Sequence, residues 1–247
     1  MKNLSKKKYS IIITAILLFT FCNLSAQSLS VGTDIVSRYI WRGIDLGSNT
    51  PSIQPSVEFG IGGLTAGFWG AYSLSEKEGL NEVDIYASYG IELGESGSIS
   101  LGVTDYTNPN SGVKIGNFDN YKAAEDTSQV DTYGAHYLEL NATFTGGENL
   151  PLSLSFNMFL YNLKNNPIYI QLGYSTAVED VALDVFAGCT LGEDASYYGV
   201  TDFSFINVGF TATKTIKFTE DFSLPLFGSV ILNPASENLF FVAGFSL

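Results

Sequence analysis

From residue 27 onward the chain repeats one signature. Apolar and polar side chains alternate with a period of two, in stretches bounded by clusters of Gly, Asn, Asp and Ser. Over 81–93, Glu82, Asp84, Tyr86, Ser88 and Glu92 fall on one side, and Val83, Ile85, Ala87, Tyr89, Ile91 and Leu93 on the other. Around 150–161, Leu150, Leu152, Leu154, Phe156, Met158 and Leu160 alternate with Ser153, Ser155, Asn157, Phe159 and Tyr161. No window holds a helical period. The pattern predicts about twelve strands, over 28–42, 51–61, 64–74, 81–93, 97–107, 132–145, 150–161, 167–177, 180–190, 203–213, 221–232 and 238–247. Most are about ten residues or longer, against roughly five or six in soluble proteins, and that length suits a tilted bilayer crossing.

The connections fall into two alternating sets. "GG" (Gly62, Gly63), "GESG" (94–97), "GGEN" (146–149), "VED" (178–180) and "KTIKFTE" (214–220) are mostly short. "GIDLGSNT", "NPNSGVKIGNFDNYKAAEDTSQVD" and "LGEDASYYGVTD" are longer and polar. Tight turns at one end and long loops at the other are the asymmetry of an outer-membrane barrel, and an even strand number puts both termini on the tight-turn side. In the last strand Leu239, Phe241, Ala243, Phe245 and Leu247 take every second position, which resembles the ending of barrels delivered to the outer membrane; the resemblance implies recognition by the outer-membrane assembly machinery, with Leu247 where Phe is usual.

A soluble sandwich would alternate in the same way, so period alone does not decide. Composition does. The chain has 18 Phe, 14 Tyr and 25 Gly against 7 Pro, and its charged fraction is 15%, where about 25% is usual. Its surface is built to face something other than water. At the start, Lys2, Lys6, Lys7 and Lys8 precede the apolar run 11–21, and "NLSAQ" offers a cut after Ala26. Residues 1–26 are expected to be a cleaved secretory signal, too short for a spanning helix. Cys22 as a lipid anchor would need a small residue before it, and Phe21 stands there. The fold class expected for 27–247 is all-β: a transmembrane antiparallel up-and-down β-barrel of about 12 strands.

Removing 1–26 takes four of the 12 basic residues and no acidic ones, leaving 8 against 25, a net charge of −17. That excludes nucleic acid as a partner, whose binding rests on phosphate neutralisation. Only Cys189 remains, so no internal disulfide forms.

"SRYIWRGIDLGSNTPSIQPSVEFGIGGLTAGFWGAY", "NEVDIYASYGIEL", "LGVTDYTNP" and "HYLELNATF" together resemble, in order and spacing, the TorF-type family of porins, Gram-negative outer-membrane barrels. The likeness is clearest from Ser37 to Phe144. Tyr39, Arg42, Gly43, Pro51, Gln54, Gly67, Trp69 or its neighbour Gly70, Glu82, Asp84, Tyr86 and Tyr106 match the family pattern. The resemblance implies a barrel and transport, without a mechanism. The long loop Asn108 to Asp131 and the terminal Leu247 depart from it.

The stretch "VSRYIWRGIDLG" sets two arginines among large apolar side chains. If the first strand runs to residue 42, Asp34, Arg38 and Arg42 share one face and Leu29, Val31, Ile35, Tyr39 and Trp41 the other. A lipid-facing arginine at the midplane costs about 2–4 kcal/mol, so the arginines are expected in the lumen. The same parity puts Gln54, Glu58, Glu82, Asp84, Glu92, Glu139 and Asp184 there with them. These charges either line a water-filled path and tune ion selectivity, or pair across the interior and hold the barrel shut. Tyr39 and Trp41 are expected as girdle aromatics at the outer interface.

Sites for chemistry are sparse. His136 shares parity with Leu138, Leu140 and Phe144, which puts it on the lipid-facing side near the outer rim, with no Ser on that face of the strand to serve as nucleophile. The loop pairs Glu125-Asp126 and Glu193-Asp194 lack the spacing of a calcium loop and read as solvated acids. No enzyme, metal or cofactor is expected. The function expected is passive passage of small solutes or ions through a narrow, mostly acidic lumen in the cell outer membrane, with lipid and lipopolysaccharide as partners. The alternative is a structural or adhesive surface barrel with a closed lumen, whose loop 108–131 holds a partner.

Overall fold

A computed structural model describes residues 27–75, 79–123, 131–192 and 195–247. The expected signal 1–26, the pairs Glu125-Asp126 and Glu193-Asp194, and residues 124–130 of the long loop lie outside the described residues.

The strands are β1 (Gln27–Val36), β2 (Ile40–Trp41), β3 (Ile44–Asp45), β4 (Ser52–Ile61), β5 (Leu64–Ser73), β6 (Glu82–Glu92), β7 (Gly97–Thr107) and β8 (His136–Gly146). They continue as β9 (Leu152–Phe159), β10 (Ile168–Val178), β11 (Val181–Gly192), β12 (Asp202–Lys217), β13 (Ser223–Asn233) and β14 (Asn238–Ser246), with a one-turn helix α1 (Ala195–Tyr198) before β12. Twelve of them, β1 and β4 to β14, close into one barrel in which each strand pairs antiparallel with its neighbours in sequence. β1 completes the ring by pairing with β4 on one side and with β14 on the other. The expected up-and-down barrel is what forms.

The alternating pattern produces the two faces. Outward side chains such as Val31, Phe68, Ile85, Val103, Leu172 and Phe241 are 41–71% exposed, forming an apolar outer wall far more continuous than soluble monomers display. Inward side chains at the next positions are polar, and Glu82, Asp84, Glu139, Asn157, Thr190, Asn207 and Ser229 are all buried. Between β4 and β5 the turn consists of Gly62 and Gly63 alone, at φ +55° and +85°, the left-handed pair that a two-residue hairpin needs.

Strand limits match the expected ones to within a few residues, with two corrections. β12 runs on to Lys217, so "KTIKFTE" is mostly strand, and the turn closes where the Phe218 and Thr219 amides donate to the Phe222 carbonyl. The first strand stops at Val36 instead of continuing to 42. Ser37 still bonds the Ala243 backbone of β14, and there the chain leaves the wall. The chain then forms a separate two-stranded hairpin, β2 and β3, pairing Ile40 with Asp45 and Trp41 with Ile44. A wall of eight strands is filled by its own side chains, whereas twelve enclose more room, and this hairpin occupies it.

Candidate functional site

The hairpin turns at Arg42 and Gly43, with φ +48° and +77°. That pair of left-handed residues is the geometry of a tight two-residue hairpin. For arginine it costs of order 1–3 kcal/mol and persists only where its surroundings fix it. The surroundings do so from several strands. A Cβ on Gly43 would stand 1.8 Å from the Ile206 carbonyl oxygen of β12, so only glycine lets the tip press against that wall. Asn233 Nδ2 of β13 donates to the Gly43 carbonyl (3.1 Å). On the return arm the Leu46 and Gly47 amides donate to the Tyr39 carbonyl, and Leu46 accepts from Leu80 in the β5–β6 loop.

Arg42 is the centre of this arrangement. Its Nη1 and Nη2 donate to Glu139 Oε1 (2.6 Å) and Oε2 (2.9 Å) on β8, a two-pronged pairing that fits the guanidinium fork. Nη1 also donates to the Tyr198 phenol (2.8 Å) on α1. The guanidinium stacks 4.3 Å from the Trp41 ring centroid and 4.6 Å from that of Tyr169. Glu139 is 0% exposed and takes two further donors, the Tyr106 phenol (2.8 Å) and Asn141 Nδ2 (2.8 Å), both at Oε2. Burial holds the Tyr198 phenol well above its usual titration range, so it stays neutral beside the arginine.

Around the ion pair lies an aromatic cluster inside the lumen. Trp41 stacks on Tyr198 (6.2 Å, 17°) and meets Tyr106 and Tyr197 edge-on, while Phe159 packs against Tyr197 at 4.7 Å. A β-bulge helps to seat it. The β11–β12 register shifts between Gly188 and Cys189, so Ile206 is the extra residue and both Ile206 and Asn207 are buried. Next along the wall, Thr104, Asn141 and Asn157 are joined by hydrogen bonds across β7 to β9, and Tyr169, Gln171 and Asn207 across β10 to β12.

The structure corrects the placement of Tyr39 and Trp41. Neither is a girdle residue. Tyr39 is 6% exposed, donates to Glu82 Oε2 (3.2 Å) and packs on the Trp69 ring at 5.4 Å. Trp41 is in the lumen cluster. Strand parity extended past Val36 would turn both outward, but the chain bends inward there and parity no longer applies.

The remaining candidates are distributed. Arg38 does not join Arg42. It sits at the lumen mouth, with Nε 3.8 Å from Asp45 and its guanidinium over Phe240. Glu82 and Asp84 follow each other on the buried inner face of β6. Asp34 and Gln54 stand opposite each other across β1 and β4. Towards the tight-turn end, Glu58 accepts from Tyr86 (3.0 Å), Asp184 accepts from Ser175 (2.6 Å), and Glu92 is exposed near the turn.

His136 is at the loop-side end of β8, with Nδ1 2.8 Å from Asp105 and Nε2 donating to the Ile115 carbonyl. Phe118 stacks on its imidazole at 4.2 Å, so the long loop is latched there.

Sequence reasoning missed several participants, among them Tyr169, Tyr197, Tyr198, Phe159 and Ile206. The tyrosine pair is visible in the sequence only as part of a polar loop, and nothing in the periodicity marks a bulge.

A family model described as "Bacterial protein of unknown function (Gcw_chp)" matches residues 23–222. The chain belongs to that family. The family's description gives no activity, and of the TorF-type resemblance it is the porin-like barrel that the structure shares. No curated protein matches the Gcw_chp chain. Among solved structures, one described as "KdgM porin in complex with disordered oligogalacturonate" superposes with a TM-score of 0.50 at 10% identity, covering 90% of this chain and 98% of its own. Another, "KdgM porin", gives a TM-score of 0.48 at the same identity and coverage. At this identity the likeness shows the fold.

Proposed function

We propose that this Gcw_chp protein is an outer-membrane channel, and not an enzyme, that passes small solutes or ions through a lumen narrowed by the β2–β3 hairpin. Residues 1–26 direct export and are removed. β14 is the strand offered to the assembly machinery, and the loop-side rim meets lipopolysaccharide. The observation that carries the proposal is the pairing of an apolar outer wall with a polar interior in a closed barrel, which a lipid surround and a water-filled core explain together.

The interior charge favours cations. Arg42 is matched by Glu139, which leaves Arg38 among Asp34, Glu58, Glu82, Asp84, Glu92 and Asp184 on the described lumen face. In planar bilayers under a salt gradient, the mature barrel is expected to give small conductance steps with a reversal potential on the cation side. Arg38→Ser at the mouth is expected to move that potential further towards cation preference. Anion preference, or silence at every voltage from a folded barrel, would contradict the proposal. Silence would favour instead a closed surface barrel that holds a partner through its long loop, where Ile115 and Phe118 are 64% and 68% exposed.

A further inference from the structure

Between the hairpin and the wall at β6 to β8 the lumen holds a cavity of about 330 Å³. Trp41, Tyr197 and three further tyrosines, Tyr106, Tyr133 and Tyr137, line it together with four aliphatic side chains. Its polar groups include Glu82 and Asn108.

Two buried acceptors in or beside this lining have no donor among the described residues. Glu82 is 5% exposed, and its carboxylate accepts from the Tyr39 phenol at Oε2. Among the described residues Asn108 Oδ1 is buried without a partner, and so is Oδ1 of Asp84, the next inward residue on β6 after Glu82. The nearby guanidinium of Arg42 is held in both prongs by Glu139. A buried carboxyl pair on one strand face charges fully only beside a counter-cation, and buried acceptors left empty are costly.

Each candidate solute class can be weighed against this lining. An anion would meet carboxylates. A neutral polyol would satisfy acceptors but leave the carboxyl pair without a counter-charge. A hydrated metal ion would leave the apolar surround wet. An ammonium group supplies both N–H donors and charge, ring faces attract it, and an apolar body would cover the remaining walls. We propose that this cavity binds a protonated primary amine with an apolar body, its ammonium donating to Glu82 and Asn108 and its body lying against Trp41 and Tyr197. This names a solute class and rests on the channel proposal only in placing the cavity on the solute's path.

The test uses the full mature barrel in detergent with Trp69→Phe, which leaves Trp41 as the single tryptophan reporter of the two in the chain. The probe is 2-phenylethylamine near neutral pH, and 2-phenylethanol is its uncharged match. The amine is expected to change Trp41 fluorescence saturably, and the alcohol to bind at least about tenfold more weakly. Glu82→Gln is expected to weaken the amine by a similar factor and leave the alcohol unchanged. If that variant loses the heat-modifiable mobility of a folded barrel, Asn108→Leu at the loop edge serves in its place with the same expected direction. Equal binding of amine and alcohol, no saturable signal, or undiminished amine affinity in the folded variant would overturn the inference. Conductance recorded on the same preparation separates the two proposals. A barrel that conducts but ignores the amine overturns this inference alone, and one that binds the amine but stays silent overturns the channel alone.

Discussion

Arg42→Met is expected to cost the barrel about 3–5 kcal/mol of stability. The reason is what it leaves behind. Glu139 is fully buried, and without the guanidinium its carboxylate keeps, among the described residues, Tyr106 and Asn141 as donors. A buried carboxylate stripped of its counter-charge carries a desolvation penalty that two neutral donors do not offset. The left-handed backbone at Arg42 also loses the contacts that enforce it. The measurement is urea unfolding of the purified barrel in detergent, with the shift in midpoint converted through the slope. Arg42→Met combined with Glu139→Leu is expected to recover most of the loss, because removing both charges removes the penalty as well. A single-variant cost below about 1 kcal/mol, the range of exposed pairs, would mean that the pair is wet and does not clamp the hairpin.

Val103→Arg probes the other face. Val103 lies near the centre of β7, points outward and is 41% exposed. If lipid surrounds that wall, an arginine there costs about 2–4 kcal/mol. Folding yield into lipid vesicles should fall several-fold, while Ser100→Arg, three residues away on the inward face, should fold nearly as well as the native chain. Equal yields for the two would indicate that the wall does not face hydrocarbon. The contrast depends on parity alone, since both variants add the same side chain to the same strand.

Strand parity is also the most legible feature of the sequence. The alternation over 81–93 and 150–161 places Glu82, Asp84 and Asn157 on the face where the structure buries them, and the division into tight turns and long loops matches the two barrel ends. The limit of that inference is equally physical. Alternation reports an extended chain with two environments, but it does not report which wall the chain belongs to. "SRYIWRGID" alternates whether it continues β1 or leaves it. Its overlooked signal is "IW-RG-ID": two short apolar-led arms around a residue and a glycine, the spacing of a two-residue hairpin. Arginine at the first turn position obscures it, because Asn or Asp is the usual occupant of a left-handed site. Tyr197, Tyr198 and Ile206 join the site through tertiary contact and a bulge, neither of which has a period.

The question raised by two arginines among aromatics now has a divided answer. Arg42 is at the tip of an inward hairpin and clamps it to Glu139, while Arg38 remains at the mouth, 26% exposed and beside Asp45.

The most direct test of a hairpin-narrowed channel is the single-channel conductance of a barrel in which residues 39–46 are replaced by a short Gly-Ser linker, recorded beside the native barrel in the same salt. Because the excised segment fills lumen between β6, β8, β10 and β12, conductance is expected to rise several-fold while the barrel still folds. A folded variant with unchanged conductance would contradict it, placing the hairpin outside the conducting path.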